Sequence, residues 1–472
     1  MTFAEALESS QRLAVKLRQL GLTPGDRLAV MLPNGLPFVV AVLAGIMAGA
    51  IVVPVDPRLR ASSLAHIAGD CSPRAAVCTP EAAERLDELD PSDRPTIVLI
   101  SNANDPLERL LAGVGGNLDN TDGDDNSVVT ITYTSGSTGV PKGVMHSHRS
   151  WLAGADYTAR HFHLVPPCAI LIPLGLYHGY AFRHLLAYLL SGGTVIVTDG
   201  LMDGLERLDR DRPEALLLVP DACAILLHGF RSCLSDCRDF LKLISVGTAA
   251  LSDDLLGQLR DALPDVDIHL PYGLTEARVG FLQPDDRAEG RRLTSTAPTL
   301  DVRVVDPAGR DVGPGETGEI LIHGEGLMVG YWGSADQQRQ DLAQFGFRTG
   351  DRGRVNDCGE ITLEGRLDEI LNIGGRKVHP LEVETVLNQH PAVAESAVTT
   401  APDPAGITEV RLEAVVVLRP GASASERILL DHCREHLEPH KVPAVFFYVD
   451  LLPKTATGKI LRAPSRNVED PT

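Results

Sequence analysis

A run of ten residues, 134–143, has the composition of a phosphate-binding loop. It contains four hydroxyl side chains, three glycines and a lysine that follows a proline. Glycines let backbone amides approach a ligand closely, hydroxyls donate hydrogen bonds and a lysine adds positive charge. The apolar run 128–133 predicts a strand that leads into this loop. The spacing differs from the G-x-x-x-x-G-K-[ST] phosphate loop, and an ordinary surface loop is the alternative interpretation.

The loop, read with Tyr133, closely resembles the signature loop of the adenylate-forming enzymes. That superfamily includes acyl-CoA synthetases, adenylation domains of peptide synthetases and beetle luciferases. Further motifs extend the resemblance, in order, over nearly the whole chain. It implies ATP as cosubstrate, with the phosphates held by Thr134, Ser135, Gly136, Ser137, Thr138, Gly139 and Lys142.

Two later segments resemble the superfamily's adenine-binding parts. Residues 245–251 resemble the segment that lines the base, and residues 271–277 resemble the Y-G-x-T-E motif. An aromatic ring stacks well on a base, so Tyr272 is the implied stacking residue. The residues implied to surround the nucleoside are Gly247, Thr248, Ala249, Tyr272 and Gly273.

The same motif implies the magnesium site. Thr275 would contact the α-phosphate, and Glu276 would bind Mg²⁺, a cation that prefers carboxylate and phosphate oxygens. A helix start is the alternative interpretation of this Thr-Glu pair.

Residues 348–351 resemble the R-T-G-D motif, which implies that Asp351 binds the ribose hydroxyls; a simple turn residue is the alternative. Residues 365–369 resemble the hinge between two domains, with Arg366 near the ribose and phosphate and Asp368 as the hinge residue. Gly374 and Gly375 would let a phosphopantetheine arm pass close to the backbone. Many relatives have lysine at the position of Asn372. Acetyl-CoA synthetases have asparagine there, as this chain does.

Residues 453–462 resemble the superfamily's C-terminal catalytic loop. Lys459 matches its catalytic lysine by position. The resemblance implies that the small domain swings about the hinge between two half-reactions, withdrawing Lys459 after acyl-AMP has formed.

The pocket for the acid is expected around residues 176–180, at the start of the helix after Val219 and Pro220, and near Leu274. Tyr177, His178 and Gly179 are its candidate residues, and His178 either gates the pocket or packs beside it. Adenylation domains for α-amino acids usually have an Asp where this chain has Gly179, which argues against an ordinary α-amino acid.

Asp221 carries a charge where relatives often have an uncharged residue. It is either a helix N-cap or the partner of a substrate amino group, such as that of a β-amino acid.

Strand-like and helical segments alternate through most of the chain, which predicts βαβ units and mostly parallel sheets. The expected fold is α/β. A large N-terminal domain of αβ-layered sheets, 1–365, would include a β-rich subdomain at about 297–365. A small mobile α+β domain would span 366–472.

The chain has 472 residues and a formal net charge of −20. Nucleic acid is therefore an unsuitable main partner, because phosphate backbones need a basic face. The eight cysteines form no C-x-x-C pair, which fits free thiols in a reducing cytoplasm. Residues 36–55 are apolar enough to span a bilayer, but interruptions at Gly45, Gly49 and Pro54 favour a core helix followed by a strand, without membrane insertion.

Three functions can be distinguished for a chain with these motifs. An acid–thiol ligase that uses a small carboxylic acid and CoA is favoured. A stand-alone adenylation enzyme that loads the phosphopantetheine of an acyl or peptidyl carrier protein shares all these motifs. A non-catalytic nucleotide-binding scaffold would lack Lys459, Glu276 or Asp351, and all three are present.

Overall fold

The computed structural model describes residues 1–101, 108–112, 123–134, 141–284, 291–334, 336–367, 371–373, 376–378, 380–402, 410–454 and 460. Several predicted functional residues fall outside these ranges, and they are Ser135, Gly136, Ser137, Thr138, Gly139, Asp368, Gly374, Gly375 and Lys459.

The helices are distributed along the whole described chain. Their bounds are α1 Phe3–Gln19, α2 Leu36–Met47, α3 Ala61–Cys71, α4 Pro80–Asp87, α5 Glu108–Leu111, α6 His148–His161, α7 Gly179–Leu190, α8 Leu201–Asp211, α9 Pro220–Gly229, α10 Arg231–Asp236, α11 Asp253–Ala262, α12 Asp336–Phe345, α13 Pro380–Gln389 and α14 Glu426–His436.

The strands of the first half are β1 Arg27–Met31, β2 Ile51–Pro54, β3 Ala75–Cys78, β4 Ile97–Ile100, β5 Val128–Thr134, β6 Lys142–Ser147, β7 Ala169–Ile172, β8 Thr194–Val197, β9 Ala215–Leu218 and β10 Leu243–Val246. Those of the second half are β11 Asp267–Gly273, β12 Arg278–Pro284, β13 Arg291–Thr296, β14 Leu300–Val305, β15 Thr317–Gly324, β16 Gly330–Tyr331, β17 Phe347–Val355, β18 Ile361–Arg366, β19 Leu371–Ile373, β20 Arg376–Val378, β21 Val393–Pro402, β22 Val410–Leu418 and β23 Val445–Tyr448.

The first sheet has, within the described residues, the order β16-β6-β5-β2-β1-β3-β4. Its strands from β5 to β4 pair in parallel, whereas β6 pairs antiparallel with both β5 and β16. All four residues of β2 and of β3 are buried, as expected where helices cover both faces of a parallel sheet. The predicted helix-then-strand at 36–55 is present as α2 and β2.

The second sheet has the order β14-β15-β17-β18-β13-β12-β11-β10-β9-β7-β8 in the described part of the chain. It is parallel from β8 to β11 and antiparallel from β11 onward. The strands within the predicted β-rich subdomain, β14, β15, β17 and β18, are continuous with the parallel strands through the β13–β18 pairing.

A smaller α+β layer follows. Strands β21, β22 and β23 form one sheet, and α13 and α14 contribute Val383, Leu387, Leu429 and Cys433 to its buried core. Two large sheets with helices and a small C-terminal unit confirm the predicted α/β class. Across the described ranges, no helix has both the length and the apolar character needed to cross a bilayer.

Candidate active site

The turn between β11 and β12 carries the Thr-Glu pair. The amide of Leu274 donates to the carbonyl of Ala277 at 2.8 Å, and the amide of Ala277 donates back at 3.3 Å. These bonds close a tight hairpin turn with Thr275 and Glu276 at its tip. The pair therefore does not start a helix, and that alternative interpretation is wrong.

A buried cluster surrounds Asp351. The Tyr272 hydroxyl donates to its Oδ2 at 2.6 Å, and Arg366 Nη1 donates to its Oδ1 at 3.2 Å. Arg366 also donates to the carbonyl of Thr349 at 2.9 Å. Burial and the nearby Asp351 charge raise the pKa of Tyr272 well above its usual value. The cluster holds a fixed carboxylate, which can accept hydrogen bonds from a diol.

Gly350 allows this cluster to form. Its φ is +73°, a left-handed conformation that favours glycine. A Cβ at this position would lie 2.9 Å from Arg366 Nη2. Glycine therefore lets the arginine reach Asp351 across the β17–β18 pair.

Glu276, at the tip of the β11–β12 turn, is held by a residue of another strand. The hydroxyl of Tyr331, in the short strand β16, donates to Glu276 Oε1 at 2.7 Å. The ammonium of Lys142 lies 5.5 Å from the centre of the Tyr331 ring, within the range of cation–π attraction. Burial and the Glu276 charge raise the pKa of Tyr331. Tyr331 thus contacts both the carboxylate predicted to bind magnesium and the lysine of the glycine-rich loop.

The two described ends of that loop lie side by side. Thr134 at the end of β5 pairs with Lys142 at the start of β6. A Cβ on Gly143 would lie 2.7 Å from Ile131 Cγ2 and 3.2 Å from Trp332 Cβ. This glycine therefore permits the close packing that places Lys142 next to Tyr331.

The segment predicted to line the adenine follows β10. Gly247 leaves room for Tyr180, since a Cβ there would lie 2.7 Å from Tyr180 Cζ and 2.9 Å from Pro271 Cγ. Thr248 has φ +75°, which is strained for a β-branched residue and is a feature that clusters at functional sites. Ala249 continues the loop. Tyr180 Oη and Ser245 Oγ share a hydrogen bond of 2.9 Å.

The candidate acid-pocket residues lie where α7 begins. Tyr177 accepts a hydrogen bond from Arg58, and its ring centre is 4.6 Å from that of His178. Burial lowers the pKa of His178, which favours the neutral imidazole. Gly179 starts the helix, and a Cβ there would lie 3.7 Å from Trp151. Leu274, from the Thr-Glu turn, packs in a different apolar cluster, with Tyr272.

Asn34 fixes the loop before these residues. Its side-chain amide donates to the carbonyls of Leu174 at 2.6 Å and Thr198 at 2.9 Å. Its Oδ1 accepts from the Leu176 amide at 2.8 Å. One side chain from the connection between β1 and α2 thus holds two loops that follow strands of the second sheet.

Asp221 lies in the first turn of α9, but the N-cap residue is Val219 and no side chain caps this helix. The N-cap interpretation of Asp221 is therefore wrong. Its carboxylate instead accepts a hydrogen bond of 2.8 Å from Lys454 Nζ.

Sequence reasoning missed three residues that support the site: Tyr331, Lys454 and His146. His146 is fully buried and its Nε2 lies 2.7 Å from the Thr275 carbonyl oxygen. A histidine directly after Val144 and Met145, close to the glycine-rich loop, was the available signal. Tyr331 gave no signal, whereas Lys454 lies in the motif at 453–462. Neither contact could be foreseen, because the partners are 55 and 233 positions away in sequence.

The chain is similar to known proteins along nearly its whole length. The family described as AMP-binding enzyme matches residues 1–332, and the AMP-binding enzyme C-terminal domain matches 382–459. The feruloyl-CoA synthase of an Amycolatopsis species is 33% identical over 482 residues, covering 99% of this chain and 93% of that protein. The fatty acid–[acyl-carrier-protein] ligase ScoC of Streptomyces coeruleorubidus is 30% identical over 490 residues, covering 99% and 91%.

Among solved structures, ATP-bound MatB from Rhodopseudomonas palustris superposes with a TM-score of 0.87 at 25% identity. The match covers 99% of this chain and 92% of that chain.

Proposed function

Since this chain belongs to the AMP-binding enzyme family, within the adenylate-forming superfamily, we propose that it converts a carboxylic acid and ATP into an acyl-adenylate and then transfers the acyl group to the thiol of coenzyme A. The observation that carries this proposal is the β11–β12 turn. On one side its strand brings Tyr272 to Asp351 at 2.6 Å, and at its tip Glu276 meets Tyr331 at 2.7 Å. A ribose-binding carboxylate and a phosphate-side carboxylate on one hairpin suit a single bound nucleotide.

In the first half-reaction, a carboxylate oxygen of the acid attacks the α-phosphorus of ATP. The bond from that phosphorus to the bridging oxygen breaks, and pyrophosphate leaves. Two anions approach each other in this step, so catalysis needs positive charge and hydrogen-bond donors around the phosphates. Lys142, Thr275 and the terminal Lys459 are the proposed sources, with Thr134 to Gly139 cradling the phosphates.

Glu276 is the proposed magnesium ligand. In the described ranges no three His, Cys, Asp or Glu residues group into a metal site. A single carboxylate nevertheless fits Mg²⁺, which commonly binds one or two carboxylates together with substrate phosphates. Bound there, the ion would neutralise phosphate charge, while Tyr331 orients the Glu276 carboxylate.

In the second half-reaction, the thiol sulfur attacks the acyl carbon. The bond between that carbon and the phosphate oxygen breaks, AMP leaves, and the thiol proton passes to solvent. We propose that the C-terminal unit, from residue 366, rotates about Asp368 between the steps and brings Gly374 and Gly375 to the thiol.

Two acceptors remain distinct proposals. Coenzyme A is favoured because a similar protein of nearly equal length is named a feruloyl-CoA synthase. A carrier-protein phosphopantetheine is the second candidate, because ScoC is named an acyl-carrier-protein ligase. Both acceptors present the same thiol, so the acceptor depends on surfaces beyond the chemistry derived above.

The decisive experiment measures each half-reaction separately. Pyrophosphate exchange over a panel of carboxylic and amino acids identifies the acid, and product formation with CoA or with a phosphopantetheinylated carrier identifies the acceptor. Lys459→Ala is expected to lower exchange at least about 100-fold while sparing thioester formation from supplied acyl-AMP. The proposal would be overturned if the wild-type protein showed no pyrophosphate exchange with any acid of the panel.

A further inference from the structure

An ion pair connects the large sheets to the C-terminal unit. Lys454 Nζ donates to Asp221 Oδ1 at 2.8 Å and lies 3.1 Å from Glu395 Oε1. Asp221 belongs to the first turn of α9, whereas Glu395 belongs to β21 of the small sheet. The Lys454 side chain is 24% exposed. Burial by itself would lower the pKa of Lys454, but its bonds to the two carboxylates raise it, so the lysine stays charged.

A second ion pair crosses the same boundary. Arg419, just after β22, places Nη1 2.5 Å from Asp254 Oδ2, and its Nε donates to the Pro391 carbonyl at 2.9 Å. Asp254 lies in the first turn of α11. The N-terminal end of a helix favours negative charge, so both ion pairs place their acid at a helix end that suits it. Helices α9 and α11 share one buried core, and these two ion pairs therefore meet a single rigid surface.

Lys454 also occupies a special place in its own unit. It forms an isolated antiparallel bridge with Ile460, and Ile460 packs with Ala397, Val415 and Leu452 on the small sheet. Lys454 and Ile460 flank Lys459 in sequence. Both flanking residues are fixed to the small sheet, and one of them is also tied to α9.

We propose that Asp221 is a positioning residue for acyl-adenylate formation: by binding Lys454, it holds the base of the lysine-bearing C-terminal segment against the large domain. The inference rests on the proposed function. Transfer to the thiol requires the C-terminal unit to leave this position, so the ion pair favours the first half-reaction only. Asp221 then needs no substrate amine, because a cation of its own chain already pairs with it.

A double-mutant cycle tests this role. Asp221→Asn and Lys454→Met each remove the pair from one side, and the double variant removes both groups. We expect each single change to slow pyrophosphate exchange about three- to tenfold, since the pair is a partly exposed, charge-assisted hydrogen bond. The KM for the acid stays constant, and the double variant is no slower than the singles. Thioester formation from supplied acyl-AMP stays at the wild-type rate or rises.

Asp253→Asn is the matched control. It removes a pair of similar length, 2.7 Å to Arg291, which lies wholly within the large domain, and it should leave both half-reactions unchanged. If Asp221→Asn failed to fold, Lys454→Met would report on the same contact from the other unit.

Several results would overturn the inference. These are multiplicative losses in the double variant, equal losses in both half-reactions, or a changed order of preferred acids with Asp221→Asn, which would favour an amine-binding role. If the wild type is active and Asp221→Asn exchanges pyrophosphate at the wild-type rate, this inference is refuted but the proposed function is not. Inactive wild-type protein would refute the proposed function as well.

Discussion

The imidazole of His146 supports the turn that carries Thr275: its Nε2 lies 2.7 Å from the Thr275 carbonyl oxygen. A carbonyl only accepts, so Nε2 carries the hydrogen. Nδ1 lies 3.0 Å from Ser150 Oγ, and the ring centre lies 5.0 Å from that of Trp151. A neutral, fully buried histidine therefore links strand β6 to the β11–β12 turn.

Replacing His146 should weaken both stability and catalysis. In His146→Leu the Thr275 carbonyl loses its donor, and an unsatisfied buried acceptor costs about 1–3 kcal/mol. We expect the free energy of unfolding in urea to fall by that amount, and pyrophosphate exchange to slow. His228→Leu, at an exposed position of α9, should change stability by less than about 0.5 kcal/mol. Equal effects of the two substitutions would contradict the supporting role.

Acid should destabilise the protein through the same residue. Burial, with a further contribution from nearby Arg183, lowers the pKa of His146 from 6.5 to about 3. Below about pH 6.5 the His146 imidazole is therefore protonated in the unfolded chain but stays neutral in the folded chain. The free energy of unfolding keeps the whole His146 contribution above that pH and loses it as the pH falls toward 3. The His146 contribution to the loss is about 2 kcal/mol between about pH 7.5 and 5.

Urea denaturation of wild type and His146→Leu at both pH values isolates this contribution. The variant has no imidazole at this position, so its stability should decline less on acidification. Identical slopes in the two proteins would refute the assignment.

The Tyr331–Glu276 contact should matter for the magnesium requirement. Glu276→Gln removes the proposed ligand charge, so we expect pyrophosphate exchange to fall at least about 100-fold and to need more Mg²⁺. Tyr331→Phe removes only the orienting hydroxyl, with an expected loss of about three- to tenfold. Tyr448→Phe, in the exposed part of β23, is the control. Exchange by Tyr331→Phe that matched the control over a Mg²⁺ titration would show that the hydroxyl is dispensable.

Space at Gly247 should limit substitution. Gly247→Ala would push a methyl group against the Tyr180 ring and Pro271, and overpacking of this kind costs about 1–3 kcal/mol. We expect reduced thermal stability and slower acid activation. Gly257→Ala, in α11 with no atom within 4 Å of the added Cβ, should be neutral or stabilising by up to about 1 kcal/mol. A tolerated Gly247→Ala would mean that Tyr180 moves freely.

Much of the fold follows from local patterns. Strands such as β2 and β9 are short apolar runs between helices, and their buried parallel pairing is the usual outcome of that pattern. The antiparallel pairing of β13 with β18 was not predictable. The two strands lie about 70 residues apart, and pairing over such a distance leaves no periodic signal in the sequence.

The site was predictable only where a motif carried it. Tyr272, Glu276, Asp351 and Arg366 were identified from resemblance, but the contacts of Asp351 with Tyr272 and Arg366, and the Tyr331 partner of Glu276, were not. The hydroxyl that meets Glu276 comes from a distant segment with no pattern of its own, and the motif that contains Lys454 does not indicate that this lysine meets Asp221. Asp221 itself shows the limit of local reasoning, since an acid near a helix start can bind another domain instead of capping the helix.

The side chain of Asn34 ties the segment after β1 of the first sheet to loops that follow β7 and β8 of the second sheet. The side-chain amide of Asn34, in the connection between β1 and α2, holds the loop that leads to Tyr177 and His178. Recombination between relatives at a breakpoint that separates the sheets would part this amide from the loop it holds. A grafted loop would keep its shape only in a recipient that offers the same three hydrogen bonds, so the loop and the Asn34 segment must be exchanged together.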